Sequence, residues 1–490
     1  MKICHLSAEC MPFAKTGGLG DVTAALPRAQ WAAGDDVEIW LPFHLPAAEW
    51  YRRRQSWPEL GCAPFRVEIL GQCYEVGVLR GQLPASQVPV YFIAHDPFFQ
   101  RGPVYAADAT GRDDGLWRFT VFVRAALAAM KHLGRRPQIL HCHDWHPALA
   151  PMLGAWSSYR DRWFDEIASV LTIHNLHHQG VYEPSLFPAL GLPAETAPLV
   201  HHHGAVNLLK GALVAADMIT TVSPTYAWEI QTREGGQGLE ELLRGRADRL
   251  TGILNGIDPS EWDPAVDPHL VARYAAADLS GKAQCRRALC EAAGLSADDP
   301  GMILGAIGRL TEQKGFDVLL DAVPRLLAEG TRIVMLGSGD PALERRMLDY
   351  AAAHPGRFHA WLGYDEARAH GIEAGADSFI MPSRFEPCGL NQMYSLAYGT
   401  PPIVRHTGGL ADTVIGYHGH NLDTANGFSF YDLTADAIVG TVAWARSALV
   451  GGAWPQLVQN AMRADFSWQR SAELYGQVYR QARSHRGLPW

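Results

Sequence analysis

Two doubly wound α/β domains, with Rossmann-like alternation, are predicted for this chain, and three features predict them. Short β-branched apolar runs alternate with longer amphipathic stretches, which is how repeated βαβ units read in sequence. The alternation breaks at the Pro- and Asp-rich stretch 259–268 (PSEWDPAVDP), read as a linker, and then starts afresh. A hexapeptide is echoed across that break: Thr16-Gly-Gly-Leu-Gly-Asp21 in the first half, Thr407-Gly-Gly-Leu-Ala-Asp412 in the second. Each copy follows a strand-like segment and opens a helix. Ligands of open parallel sheets sit at the carboxyl ends of the strands, so two such domains facing each other would turn both loops toward one deep cleft.

Taken in order, the first half is expected to place strands at 3–7, 37–41, 88–94, 138–141, 170–174 and 218–222, with helices at 18–33, 116–132 and 205–215. In the second half strands fall at 303–308, 332–337, 358–362, 378–382 and 402–405, with helices at 315–327, 341–352, 365–373 and 390–398. The stretch 434–483 reads as mostly helical. The expected division is therefore 1–258 for the first domain, 259–464 for the second, and 465–490 as a C-terminal helix crossing back to pack on the first. That last segment is too short to build a core of its own.

Composition bounds the function classes. Hydrophobic residues make up 48% and charged residues 19% of the 490, which excludes a disordered chain or a fibre. The net charge of −9 offers no global attraction for nucleic acid or anionic lipid. No apolar run reaches the length of a membrane helix, and MKICHLSAEC does not have the pattern of a secretory signal. Eight cysteines with no C-x-x-C pair read as reduced thiols. The expectation is a soluble, cytoplasmic enzyme with no nucleic-acid or membrane partner.

Five constellations carry chemistry. Lys15-Thr-Gly17-Gly18-Leu-Gly-Asp21 is neither a dinucleotide loop nor a Walker loop, yet it sets glycines, a helix N-terminus and a cation together, which suits an anion; the alternative is a plain glycine-rich turn. His141-Cys-His-Asp-Trp-His146, with His174-Asn175 later, suggests zinc, but alternate strand residues point to opposite faces and no finger-like spacing follows. Asp144, Trp145, His146 and His174 are better read as lining a pocket for a polar ring, with Trp145 as the stacking face. The run His201 to His203 reads as a solvated loop. Arg309 and Lys314 lie five residues apart across a strand-to-helix turn and suit a diphosphate, Arg as a fork and Lys as a point charge; a surface charge pair is the alternative. Glu386, before Cys388, Gly389 and Leu390 at a helix start, can hold sugar hydroxyls or face a developing positive charge, or else cap the helix. Thr407 and Gly408 offer a further helix N-terminus to phosphate. Jointly these suit a sugar attached to a diphosphate.

With KTGGLGDV, HCHDWH, TVSPTYA, GILNGID, GRLTEQKG, PSRFEPCGLNQ and TGGLADTV in this order, the chain resembles the bacterial glycogen (starch) synthases, retaining glycosyltransferases of the two-domain GT-B fold. The resemblance runs from Met1 to about Trp468. Many nucleotide-sugar transferases of this fold carry a second Glu eight residues after the first; here Glu386 is followed at that spacing by Tyr394, as in the glycogen synthase branch. The resemblance implies that Lys15 and Gly18, with Gly17 and Asp21 in the same loop, bind the distal phosphate and sugar. It implies that Arg309 and Lys314 neutralise the leaving diphosphate, helped by Thr407 and Gly408. Glu386 would hold the glucose 3- and 4-hydroxyls, with backbone donors from Cys388, Gly389 and Leu390. His174, beside Asn175, would sit against the donor glucose, Asp144 and Trp145 would face donor and acceptor, Tyr364 would stack on adenine, and Asn255 would help position the leaving group. His406 departs from a commoner Arg in the phosphate loop. The implied reaction moves glucose from ADP-glucose to a glucan 4-hydroxyl with retention, needing no metal and no other cofactor. A UDP-glucose transferase making sucrose or trehalose, or a non-catalytic glucan-binding relative, is the rival; the latter would lose Lys15, Arg309, Lys314 or Glu386.

Overall fold

The computed structural model describes residues 1–105, 107, 111–156, 162–296 and 298–489. It divides into two compact units. The first comprises Met1–Val222, Ala227–Gly256 and Trp468–Trp490; the second comprises Ser223–Tyr226 and Ile257–Ser467.

The first unit is built on one sheet whose spatial order is Leu250–Gly252, Met218–Thr221, Ala168–Ile173, Ile139–His143, Lys2–Leu6, Asp36–Pro42, Pro89–Ala94, Gln72–Gln82 and Glu59–Ile69. The first seven of these run parallel. The two at the edge form an antiparallel hairpin that the sequence reading did not anticipate. Its strands alternate in burial instead of forming apolar runs, and its two-residue turn, Leu70-Gly71 with φ of 49° and 78°, lacks the Asn-Gly or Asp-Gly signal. Helix Gly18–Ala32 buries Leu19, Val22, Leu26 and Gln30, one stripe at helical spacing. Helix Trp468–His485 does the same with Trp468, Ala472, Tyr475, Tyr479 and Ala482, and these side chains join the core of the first unit.

Two further expectations in this unit are corrected. His201–His202 is a short strand pairing with Ala205–Asn207, in a small sheet completed by Val181–Tyr182, and not a solvated loop. The helix expected from 205 accordingly begins only at Leu208, capped by the Asn207 side chain accepting from the Lys210 amide at 2.9 Å.

The second unit carries an all-parallel sheet in the order Phe358–Leu362, Arg332–Gly339, Ile303–Leu310, Ser378–Met381, Pro402–Arg405, Phe428–Phe430. Helix Phe316–Ala328 buries Phe316, Leu319, Leu320, Val323 and Leu327 against it. The stretch 259–268 is not a free linker: it is anchored in this unit. Trp262 lies between His370 and Tyr394, with ring centroids at 3.9 and 3.7 Å. Buried Asp267 accepts hydrogen bonds from His370 Nδ1 at 2.7 Å and from the Tyr398 hydroxyl. Tyr394, at the spacing where other transferases carry Glu, is therefore an aromatic packing residue here. Helix Ser280–Ala293, ended by Gly294 at φ 64°, was also unforeseen. Among the described residues no helix is long and apolar enough to cross a membrane.

Candidate active site

In each unit the residues singled out from sequence hang from the carboxyl ends of parallel strands, on either side of the point where strand order reverses. In the first unit that point separates Lys2–Leu6 from Ile139–His143. The loop after Lys2–Leu6 carries Lys15, Gly17 and Gly18 to the start of helix Gly18–Ala32. Its shape is held from below by Glu9, a buried carboxylate that sequence reasoning passed over. Glu9 accepts from the Thr16 amide at 2.6 Å and the Gly17 amide at 3.2 Å, and also from the Thr16 and Tyr105 hydroxyls. Those amides are thus occupied, so an anion would be met by the exposed Gly18 end of the loop and by Lys15. The Lys15 ammonium is exposed and pairs with Asp21 at 2.7 Å.

After Ile139–His143 the chain turns at Asp144, which adopts φ 59°, a left-handed conformation uncommon outside glycine. Its Oδ1 accepts from the His174 amide at 2.7 Å, and its own amide donates to Thr172 O at 2.9 Å. Burial raises the Asp144 carboxyl to about 7, against the lowering effect of the His174 and Asn175 amides. Asp144 therefore organises the turn that carries His174 and Asn175. Trp145 is half-buried, edge-on to Phe119 and walled by Gly180, where an added Cβ would fall 2.4 Å from the indole. His146 is buried, stacks on Tyr105 and packs beside Trp145 and edge-on to Phe119. Asn255, just past Leu250–Gly252, is buried with its side-chain oxygen unpartnered among the described residues.

Beneath His174 lies an unexpected group. His5 sits opposite His141 in the register of neighbouring strands, and His143 lies two residues on along the same face. Nitrogen atoms of the three imidazoles fall within 4.8 Å of one another. Each of those nitrogens has a hydrogen-bond partner: His5 bonds Gln30 and His143, His141 bonds Tyr479 and Thr172, and His143 also bonds His174. The cluster is a satisfied hydrogen-bonded chain.

In the second unit strand order reverses between Ile303–Leu310 and Ser378–Met381. Arg309, at the end of the first of these, is exposed and has no ion-pair partner among the described residues. Lys314 closes a 3₁₀ turn, and Gly315, at φ 66°, starts helix Phe316–Ala328. The Lys314 ammonium lies 2.6 Å from Glu386 Oε2, and the Ser383 hydroxyl donates to the same oxygen at 3.0 Å. Glu386 is 5% exposed, and its carbonyl accepts from the Gly409 amide at 3.0 Å. The structure therefore brings Lys314, Glu386, Cys388 and the Thr407-Gly408 loop together. Gly409 permits this, since an added Cβ would lie 2.1 Å from Cys388 O. Gly389 takes φ 74° ahead of Leu390 and helix Asn391–Ala397. Tyr364 follows Phe358–Leu362 with its ring 70% exposed. Residues 223–226, from the TVSPTYA segment, also lock this site: Ser223 Oγ donates to Pro387 O at 2.6 Å, and Asp412 accepts from the Thr225 amide and hydroxyl at 2.8 and 2.7 Å.

A family model described as "Starch synthase catalytic domain" matches residues 2–245, and one described as "Glycosyl transferases group 1" matches residues 301–443. The glycogen synthase of Anaeromyxobacter sp. (strain Fw109-5) is 44% identical over 483 residues, covering 98% of this chain and 99% of its own. That of Halorhodospira halophila (strain DSM 244 / SL1) is 44% identical over 497 residues, covering 99% and 100%. Among solved structures, the catalytic domain of starch synthase IV from Arabidopsis thaliana, bound to ADP and acarbose, is similar with a TM-score of 0.87 and 35% identity, covering 99% of both chains. Sucrose-phosphate synthase from Thermosynechococcus elongatus shares the fold at a TM-score of 0.58 and 19% identity. With the site loops in both units and similarity along nearly the whole chain, this protein belongs to the glycogen (starch) synthase family of glycosyltransferases.

Proposed function

We propose that this glycosyltransferase moves glucose from ADP-glucose to the non-reducing 4-hydroxyl of an α-1,4-glucan, retaining the α configuration and releasing ADP. One observation carries the reading: an exposed cation, Arg309, with no ion-pair partner among the described residues, stands at the same strand-order reversal as the Lys314–Glu386 pair, whose carboxylate is buried. A diphosphate supplies the anion that Arg309 lacks. It also draws the Lys314 ammonium from Glu386, leaving that carboxylate to accept from sugar hydroxyls. The C1–oxygen bond to the diphosphate breaks with its electron pair passing to ADP; the acceptor O4 bonds C1 from the same face, and its proton goes to the departing phosphate oxygen. Positive charge fixed at the leaving group supplies most of the acceleration, because it needs no rearrangement as charge develops. Two cationic side chains do the work that a divalent ion does elsewhere, so the reaction needs no metal. In the first unit Lys15 and Gly18 serve the donor's phosphate and sugar, with Asp144, Trp145, His174 and Asn255 around the reacting groups. The exposed Tyr364 ring is a stacking face for adenine. Eight free cysteines fit a reducing compartment, and the cytoplasm is the proposed location.

The test is incorporation of labelled glucose into glycogen from ADP-glucose and from UDP-glucose, with and without chelator. Incorporation from ADP-glucose that chelator leaves intact is expected. Loss of activity with chelator, or use of UDP-glucose alone, would overturn the proposal.

A further inference from the structure

Three buried histidines of the first unit, His5, His141 and His143, belong to one branched network of hydrogen bonds that reaches His174. Gln30 Nε2 donates to the Tyr479 hydroxyl at 2.8 Å, and Gln30 Oε1 pairs with His5 Nε2 at 2.8 Å. His5 Nδ1 pairs with His143 Nε2 at 3.0 Å, and His143 Nδ1 with His174 Nε2 at 3.0 Å. From Tyr479 a second branch continues through His141 Nδ1 at 2.8 Å, then from His141 Nε2 to Thr172 Oγ1 at 2.6 Å, and on to Thr220 Oγ1 at 2.6 Å.

Each link holds one proton, and each ring is neutral. Burial lowers His5 to about 4 and His174 to about 3, and it takes His141 and His143 well below the usual histidine range. A neutral imidazole has one N–H and one bare nitrogen, so the state of one ring dictates that of the next. The Gln30 amide fixes the direction. Its NH₂ faces Tyr479, so its oxygen must accept from His5 Nε2–H. His5 Nδ1 is then bare and accepts from His143 Nε2–H, and His143 Nδ1 accepts from His174 Nε2–H. On the other branch the Tyr479 hydroxyl donates to His141 Nδ1, and His141 Nε2–H donates to Thr172. Turning the Gln30 amide over would reverse every link at once.

We propose that Gln30 and Tyr479 are positioning residues for the transfer reaction, holding His174 in its Nε2–H tautomer so that Nδ1 is presented as a hydrogen-bond acceptor. Resting on the reading of His174 as a group against the donor sugar, this makes Nδ1 the acceptor for one sugar hydroxyl. A ring free to interconvert would present the wrong partner part of the time. The effect originates on the C-terminal helix: Tyr479 lies 305 positions after His174 in sequence, and only its packing in the first unit joins the two.

The experiment is ¹⁵N NMR of the full-length protein labelled at histidine, with His174 assigned by its loss in His174→Ala, combined with steady-state kinetics. In the unsubstituted enzyme His174 is expected as Nε2–H at neutral pH. Tyr479→Phe keeps the ring and removes the hydroxyl; Gln30→Leu removes the anchor from the other side. Both are expected to populate the second His174 tautomer and to lower kcat about tenfold, at the low end of what losing an outer partner of a functional histidine costs, with KM for glucan unchanged. A structural role alone would lower the melting temperature without moving the tautomer. His174 found as Nδ1–H, or an unchanged tautomer and kcat in both variants, overturns the inference. Full activity of His174→Ala would instead overturn the reading of His174 as a sugar-facing group, and with it the expected kinetic effect.

Discussion

Arg309 and Lys314 bring the same charge to the second unit's site under different constraints, and this separates their expected phenotypes. Arg309 is exposed and has no ion-pair partner among the described residues, so Arg309→Ala should cost turnover alone: about a hundredfold in kcat, on the order of 3 kcal/mol of transition-state stabilisation, with an unchanged denaturation midpoint. Lys314→Ala should lose a similar factor in turnover and also stability. Glu386 is buried and would lose its cationic partner, keeping the hydrogen bond from Ser383, and an uncompensated buried carboxylate costs about 3 kcal/mol. Replacing both members, Lys314→Met with Glu386→Gln, should recover most of the stability and none of the activity. Urea denaturation beside kcat measurement checks all three. A Lys314→Ala protein that denatures like the parent would mean that the pair does not hold Glu386 in place.

The strand-to-helix turns show why similar peptides are not interchangeable. Gly17, at the first copy of the echoed hexapeptide, has extended backbone and open space where a Cβ would go. Gly409, in the second, has Cys388 O where a Cβ would be, and Gly315 combines φ 66° with a Cβ position 1.9 Å from Pro382 O. Gly17→Ala should therefore fold as the parent does, while Gly315→Ala should lose at least about 2 kcal/mol, since backbone strain and a clash with main chain add. Thermal and chemical denaturation of the two variants make the comparison; a Gly315→Ala protein of parental stability would refute it. The two aspartates closing the echo also differ, Asp21 pairing with Lys15 and Asp412 accepting from Thr225. Nearly identical local sequence, differing at Gly20 and Ala411, specified the same strand–turn–helix, and the surroundings assigned each copy its work.

At the scale of the whole chain, the first unit is completed by residues from both ends of the sequence. Helix Trp468–His485 contributes Trp468, Tyr475, Val478 and Tyr479 to its core, the Ser471 hydroxyl bonds Leu254 O at 2.7 Å, and Arg486 pairs with Asp217 at 2.9 Å. Removing this apolar face uncovers side chains of helix Gly18–Ala32 and the adjoining strands, and each large buried side chain lost costs about 2–5 kcal/mol. That sum exceeds the net stability of a typical domain. A chain ending at Ser467 should therefore lack a cooperative melting transition in the first unit. Calorimetry tests this, and a truncated chain with two transitions at the parental temperatures would contradict it.

The elements of both parallel sheets were legible because strands buried on two faces read as apolar runs, and the site loops were legible because glycines and charged residues cluster where such strands turn into helices. Lys15, Arg309, Lys314 and Glu386 could be singled out on that ground alone. The edge hairpin at 59–82 could not, since one solvated face leaves only a weak alternation. Nor could the anchoring of 259–268, where Pro and Asp suggested a linker but Trp262 and Asp267 find buried partners distant in sequence. The supports of the site needed tertiary structure altogether. Glu9 under the Thr16-Gly17 amides, Ser223 on the Pro387 carbonyl, and the run from Tyr479 through Gln30, His5 and His143 to His174 join residues whose proximity depends on strand register and helix docking. Local sequence determines where a strand ends and a helix begins; which buried nitrogen meets which oxygen is decided only when separate strands are laid side by side at one register.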